Sequence, residues 1–224
     1  DLSPTPWLVG VDLSPFKTVY LTNSFVVKAP AGRSAQDQHF ARNYEQYKAL
    51  RWRRGLADLA DARALYHQDL TLYCDPPEIG DCELDVHERF VGPCSWEPAE
   101  NAGLSPTKHQ LVIASGTTGK GNWTDNEITD LVRLTAASTA VLYHGRVLSG
   151  VSRFEYFSGT ALSPNLRTAK AAIVHGGVGS TYMALSLGVP MLMAPQHANH
   201  YLLAERLEKL GVAIPLQDAL AKKP

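Results

Sequence analysis

The chain has 224 residues, 45% hydrophobic and 19% charged, which supports one large or two modest globular domains and excludes a disordered chain. A net charge of −1 gives no electrostatic case for binding nucleic acid or an anionic membrane. No apolar run reaches the length of a membrane span and the first residues lack the basic-then-apolar order of a signal peptide, so a cytoplasmic protein is expected.

In chain order, residues 5–13 read as a short helix with proline in its first turn, and 18–23, "TVYLTN", as a strand rich in β-branched and aromatic residues. Residues 35–51 have a polar helical pattern, and 55–67, "GLADLADARALYH", an Ala- and Leu-rich one. "DLTLYC", 69–74, reads as a strand, and a proline-rich stretch with little periodicity follows. After it the pattern becomes regular. Strands are expected at 109–115, 139–144, 153–157, 171–175 and 190–194. Helices are expected at 124–138, at 178–188 and at 198–210, the last with Leu203, Leu207 and Leu210 on one face. The chain then enters "GVAIPL" with no further element assigned. Near-continuous apolar strands alternating with helices imply α/β architecture, a doubly wound parallel sheet whose ligands sit at the carboxyl ends of the strands. The domains expected are 1–75, a linker at 76–107, and 108–224.

Chemistry concentrates at "HGGVGS", residues 175–180. His175 closes a strand, and Gly176 to Ser180 open the next helix. A helix N-terminus offers unpaired N–H groups and a positive dipole end, and glycines let a ligand approach the backbone, which together make an anion site. Ser180 and the His175 imidazole could add donors. The plainer alternative is a tight turn around a satisfied core histidine. Cys74, Cys82 and Cys94 lack Cys-x-x-Cys spacing, so reduced thiols are expected rather than a zinc site or a disulfide framework. His197 and His200 lie three apart without a third ligand, so no metal is expected there either. "SGTTGKG" lacks the glycine spacing and the hydroxyl residue of a P-loop. "NWT" at 122–124 matches a glycosylation sequon without consequence in a cytosolic chain.

The ordered set His-Gly-Gly-x-Gly-Ser, Ala-Leu-x-x-Gly-Val-Pro, Pro and Ala-x-Arg-Leu-x-x-x-Gly over residues 172–213 resembles the donor signature of bacterial UDP-glycosyltransferases of family one. The likeness is to the macrolide type, with the two-Rossmann-domain GT-B fold. "LVIASGTTG" resembles the first strand and loop of that family's C-terminal domain, and "RFVGPCSWEP" its interdomain linker. Residues 1–23 resemble the later part of the N-terminal domain, so the resemblance implies an N-terminal domain that is incomplete here and a C-terminal domain truncated at its end.

The resemblance implies metal-independent transfer of a sugar, with inversion, from a nucleotide-sugar to an acceptor hydroxyl. The UDP-sugar would be a co-substrate, with no cofactor. Gly177, Val178, Gly179 and Ser180 would hold the phosphates, with His175 on the diphosphate and Gly116 and Thr117 flanking it. Thr160 and Ala161 would lie near the nucleobase. Where the family carries Asp-Gln or Glu-Gln for the sugar hydroxyls, this chain has Asn199 and His200. The family's catalytic base, a histidine near the start of the N-terminal domain, has no match here, and His39, His67 and His87 are not assigned to that role. A nucleotide-sugar-binding module without its own base is the alternative. An epimerase of the same fold would need acidic cleft residues that are not evident. An incomplete first domain would leave an open sheet edge, which predicts self-association.

Overall fold

The computed structural model describes residues 15–59, 69–94, 111–114, 116, 140–143, 154–157 and 162–221. The chain divides into two units: residues 1–94 with 197–202, and residues 95–196 with 203–224. The helices expected at 5–13 and 124–138 lie outside the described residues.

The first unit holds a parallel sheet of β1 (Val19–Thr22), β2 (Leu70–Tyr73) and β3 (Glu88–Phe90), in that order. Val19 pairs with Leu70, and Thr71 with Glu88. Buried Asp75, just past β2, accepts hydrogen bonds from the Ser24 N–H, from Ser24 Oγ (2.7 Å) and from Asn23 Nδ2 (2.7 Å). It thereby supplies the cap that α1 (Ser24–Val27) lacks from its own N-cap, Asn23. Helix α2 (Ala35–Arg53) begins at Ser34, whose side chain accepts from the Asp37 N–H at 3.0 Å. It buries Phe40 against Tyr47, ring centroids 5.7 Å apart.

Two expectations change in this unit. The sequence of 55–67 predicts a helix, but 55–59 are not helical, and 60–67 lie outside the described residues. Gly55, at φ +67°, ends α2. Its N–H bonds the Trp52 carbonyl and the Leu56 N–H bonds that of Arg51, the pairing of a glycine-terminated helix. Nor is 76–107 a plain linker. Pro77–Gly80 forms a helical turn, α3, with proline in the first-turn position where its missing N–H costs nothing, and Glu88–Phe90 joins the sheet. Tyr73, fully buried, donates from its hydroxyl to Glu88 Oε1 at 2.6 Å, while Lys28 Nζ pairs with Glu88 Oε2 at 2.6 Å.

The second unit holds six parallel strands: β4 (Leu111–Ala114), β5 (Ala140–Tyr143), β6 (Phe154–Phe157), β7 (Ala171–Val174), β8 (Met191–Met193) and β9 (Ala213–Pro215). Their spatial order is β6-β5-β4-β7-β8-β9, the doubly wound arrangement in which the order reverses between β4 and β7. All of β4 is buried, as are Ala172, Ile173 and Val174 of β7, which is why both read as unbroken apolar runs. The helices described are α4 (Ser163–Leu166), α5 (Val178–Ser186), α6 (Ala198–Lys209) and α7 (Leu216–Ala221). Leu203 and Leu207 of α6 are fully buried, but Leu210, expected on the same face, follows the helix and is 45% exposed. Strand β9 and helix α7 continue the sheet where no element was assigned, anchored by buried Ala213 and Leu216.

Candidate functional site

In an open parallel sheet the loops on either side of the order reversal diverge, which opens a crevice at the carboxyl ends of the strands. Here those loops follow β4 and β7, whose last residues, Ala114 and Val174, are paired neighbours. Gly116 lies just past β4 and His175 just past β7.

The His175 side chain joins the two loops. It is 8% exposed, and its Nδ1 lies 3.1 Å from the Ala114 carbonyl oxygen. A carbonyl only accepts, so Nδ1 carries the proton. The ring occupies the space where side chains at two glycines would stand. A Cβ on Gly116 would come within 2.6 Å of His175 Nε2, and one on Gly177 within 2.3 Å. Gly116 also has φ +82°, a conformation few other residues accept. The imidazole is therefore a wedge fixed to one strand and packed between both loops.

Helix α5 starts directly beyond. Its N-cap is Gly177, no side chain caps it, and its first turn carries no acidic residue. The positive end of the helix dipole is thus left uncompensated by its own sequence. Val178 and Ser180 are half-buried, and Gly179 is exposed, with open space where a Cβ would be. Ser180 Oγ donates back to the Gly177 carbonyl at 3.2 Å. Thr181, passed over in the sequence, is fully buried, and its hydroxyl has no hydrogen-bond partner. Chemically, the arrangement is an N–H-rich helix start suited to an anion.

The structure thus brings Gly116, His175, Gly177, Val178, Gly179 and Ser180 to one crevice of the second unit. Thr117, Thr160 and Ala161 lie outside the described residues. Asn199 and His200 fall within the first unit. Asn199 Oδ1 accepts the Ala35 N–H at 2.8 Å and its Nδ2 donates to Gln36 Oε1 at 3.0 Å, so both ends of this amide serve the start of α2. His200 is buried and its ring stacks on His197, centroids 3.4 Å apart. Burial lowers the His197 pKa. His39, also in the first unit, is hydrogen-bonded to the Tyr47 hydroxyl at 2.7 Å. Among the described residues no group of three His, Cys, Asp or Glu could hold a metal ion, and no helix is long and apolar enough to cross a membrane.

Comparison with known proteins matches the end of the chain to a family model. Residues 159–222 match the family described as erythromycin biosynthesis protein CIII-like, C-terminal domain. Over that part the chain resembles the bacterial macrolide-type glycosyltransferases. A PGL/p-HBAD biosynthesis glycosyltransferase of Mycobacterium tuberculosis is 30% identical over 182 residues, covering 75% of this chain and 41% of that protein. The L-demethylnoviosyl transferase of Streptomyces niveus is 47% identical over 51 residues, 23% of this chain and 14% of its own length. Among solved structures, the glycotransferase of kitacinnamycin superposes with a TM-score of 0.64 at 23% identity, covering 81% of this chain and 50% of its own. The spinosyn rhamnosyltransferase SpnG, solved in complex with thymidine diphosphate, gives 0.57 at 21% identity over 96% of this chain and 57% of its own. These neighbours establish the GT-B fold. The chain spans about two fifths of the length of the M. tuberculosis relative.

Proposed function

We propose that this glycosyltransferase chain carries the donor side of the reaction, holding the diphosphate of a pyrimidine-nucleotide sugar on the first turn of α5. The single observation that carries this reading is an uncapped, glycine-built helix start at the sheet's order reversal, braced by a buried histidine. Thymidine diphosphate in the SpnG structure supports a pyrimidine nucleotide and widens the expectation from UDP to UDP or TDP. In the transfer, the acceptor hydroxyl oxygen attacks the anomeric carbon from the face opposite the diphosphate. The carbon–oxygen bond to the diphosphate breaks, the configuration inverts, and a base takes the hydroxyl proton. The N–H groups of Val178 and Gly179 and the dipole of α5 stabilise the departing charge, so neither a cation nor a cofactor is needed. No residue of this chain is assigned as the base.

Titration calorimetry with UDP and with TDP tests the reading, using wild type and Gly179→Asp. The space around Gly179 is open, and an aspartate in the first turn suits the helix dipole, so this variant folds at least as stably as wild type. Its carboxylate occupies the anion's place. We expect micromolar binding of one or both nucleotides by wild type and at least about a tenfold loss in the variant, equivalent to roughly 1.4 kcal/mol. A folded wild-type chain that binds neither nucleotide would overturn the proposal.

A further inference from the structure

We propose that the groove between the second half of α2 and the segment following it binds a small organic ammonium ion that carries an aromatic ring. The groove belongs to the first unit and lies toward the end of α2, away from the Ser34 cap and Asn199. It is lined by Glu45, Lys48, Ala49, Trp52, Leu56 and Asp58, and its volume of about 370 Å³ is that of a small-molecule site. Glu45, Lys48, Ala49 and Trp52 are spaced three and four apart, so they share one face of the helix. The facing wall is fixed by hydrogen bonds to α2. The Leu56 N–H bonds the Arg51 carbonyl at 3.0 Å, and Arg51 Nε donates to the Ala57 carbonyl at 2.5 Å. The Tyr44 hydroxyl donates to Asp58 Oδ2 at 3.1 Å.

Two lining groups define the ligand's chemistry. Trp52 is 81% exposed and makes no ring contact among the described residues. Asp58 accepts from the Tyr44 hydroxyl and from the Leu59 N–H at 2.9 Å, neither of them charged, and makes no ion pair among the described residues. The hydrogen bond to Asp58 raises the Tyr44 pKa, so that hydroxyl keeps its proton and the carboxylate stays the acceptor. Glu45 and Lys48 stand three apart with opposite charges and offset one another, which leaves Asp58 as the net charge of the groove. The face of an indole attracts a cation more strongly than any other aromatic side chain does. A cation on Trp52 therefore also answers the Asp58 carboxylate. Ala49 and Leu56 supply apolar wall, which favours a ring beside the charge over a bare cation. A neutral ring would leave Asp58 unanswered, and an anion would be repelled by it.

The test is titration of the intact, isotope-labelled chain with benzyltrimethylammonium, followed by two-dimensional NMR of its N–H groups. The indole signal of Trp52, one of four tryptophans and assigned by its loss in Trp52→Ala, shifts in a saturable way, with the amides of Ala49 and Leu56. Benzyl alcohol, which is neutral, and phenylacetate, which is anionic, bind at least about fivefold more weakly. Asp58→Asn reduces the affinity for the ammonium to that for the alcohol. Trp52→Ala, at an exposed position, keeps the wild-type melting temperature and loses the saturable shifts at Ala49 and Leu56. Equal affinity for benzyl alcohol, a preference for phenylacetate, tighter binding of a lysine amide than of the ring-bearing ammonium, or no shift at Trp52 would each overturn the proposal.

Discussion

A buried imidazole between two glycines is an arrangement in which each partner constrains the others. His175 fixes one nitrogen on the Ala114 carbonyl and fills the volume that side chains at 116 and 177 would need. Gly177 has φ −67°, which any residue accepts, so alanine there tests the clash alone. Gly177→Ala should destabilise the second unit by about 1–3 kcal/mol, the usual cost of overpacking. Denaturant unfolding of Gly177→Ala, His175→Ala and the double variant should show the alanine clash relieved once the ring is gone. Additive losses in the double variant would mean the ring is not the obstacle. In the first unit, Glu88 is the counterpart. Its burial would raise its pKa, but the Asp85 N–H, Lys28 and the Tyr73 hydroxyl together hold it below the usual carboxylate range. A carboxylate with a depressed folded pKa contributes stability that is complete above its unfolded pKa of about 4.3 and lost as pH falls through the folded value. Glu88→Gln should cost about 1–3 kcal/mol at neutral pH and flatten the acid limb of the stability profile. An unchanged acid limb would assign the sensitivity to another group. "HGGVGS" was legible as chemistry because residue types and spacing lie within one turn. The Ala114 carbonyl beneath the imidazole was not, because that contact is set by strand order.

At the scale of elements, the sequence exposes runs and hides stops. In the second unit β4 and β7 were legible because each is a buried apolar run. Gly55 was misread as a helix start because an Ala- and Leu-rich stretch follows it, although the glycine terminates α2. Strand β3 was hidden by flanking prolines and by its charged first residues. The start of α2 shows a further limit: its cap is local at Ser34 but distant at Asn199, whose Oδ1 takes the Ala35 N–H. Nothing in the sequence near residue 199 announces that partner. Asn199→Ala should therefore lower stability by about 1 kcal/mol, as loss of a helix cap does. Affinity for a nucleotide lacking the sugar should not change. Paired thermal melts and nucleotide titrations separate the two effects. A variant of wild-type stability that binds the nucleotide-sugar more weakly would return Asn199 to the donor site.

At the scale of the molecule, the two sheets differ in how completely they are covered. The six-stranded sheet places β4 and β7 at its centre and seals them. Among the described residues the three-stranded sheet has β1 at one edge, where Val19 is 59% and Leu21 54% exposed, with Phe16 just before them 63% exposed. Parallel sheets are normally covered on both faces, and an exposed apolar edge strand is a template for pairing. A second copy of the chain offers the same edge, and two β1 strands pair around a twofold axis by running antiparallel. The chain should therefore associate in a concentration-dependent way. A lysine directed along that edge breaks such pairing without touching the buried face. Size-exclusion chromatography with light scattering should show wild type above monomer mass across the micromolar range and Leu21→Lys shifted toward monomer. Wild type eluting as a monomer at every concentration would mean that the β1 edge is protected by something other than a second copy.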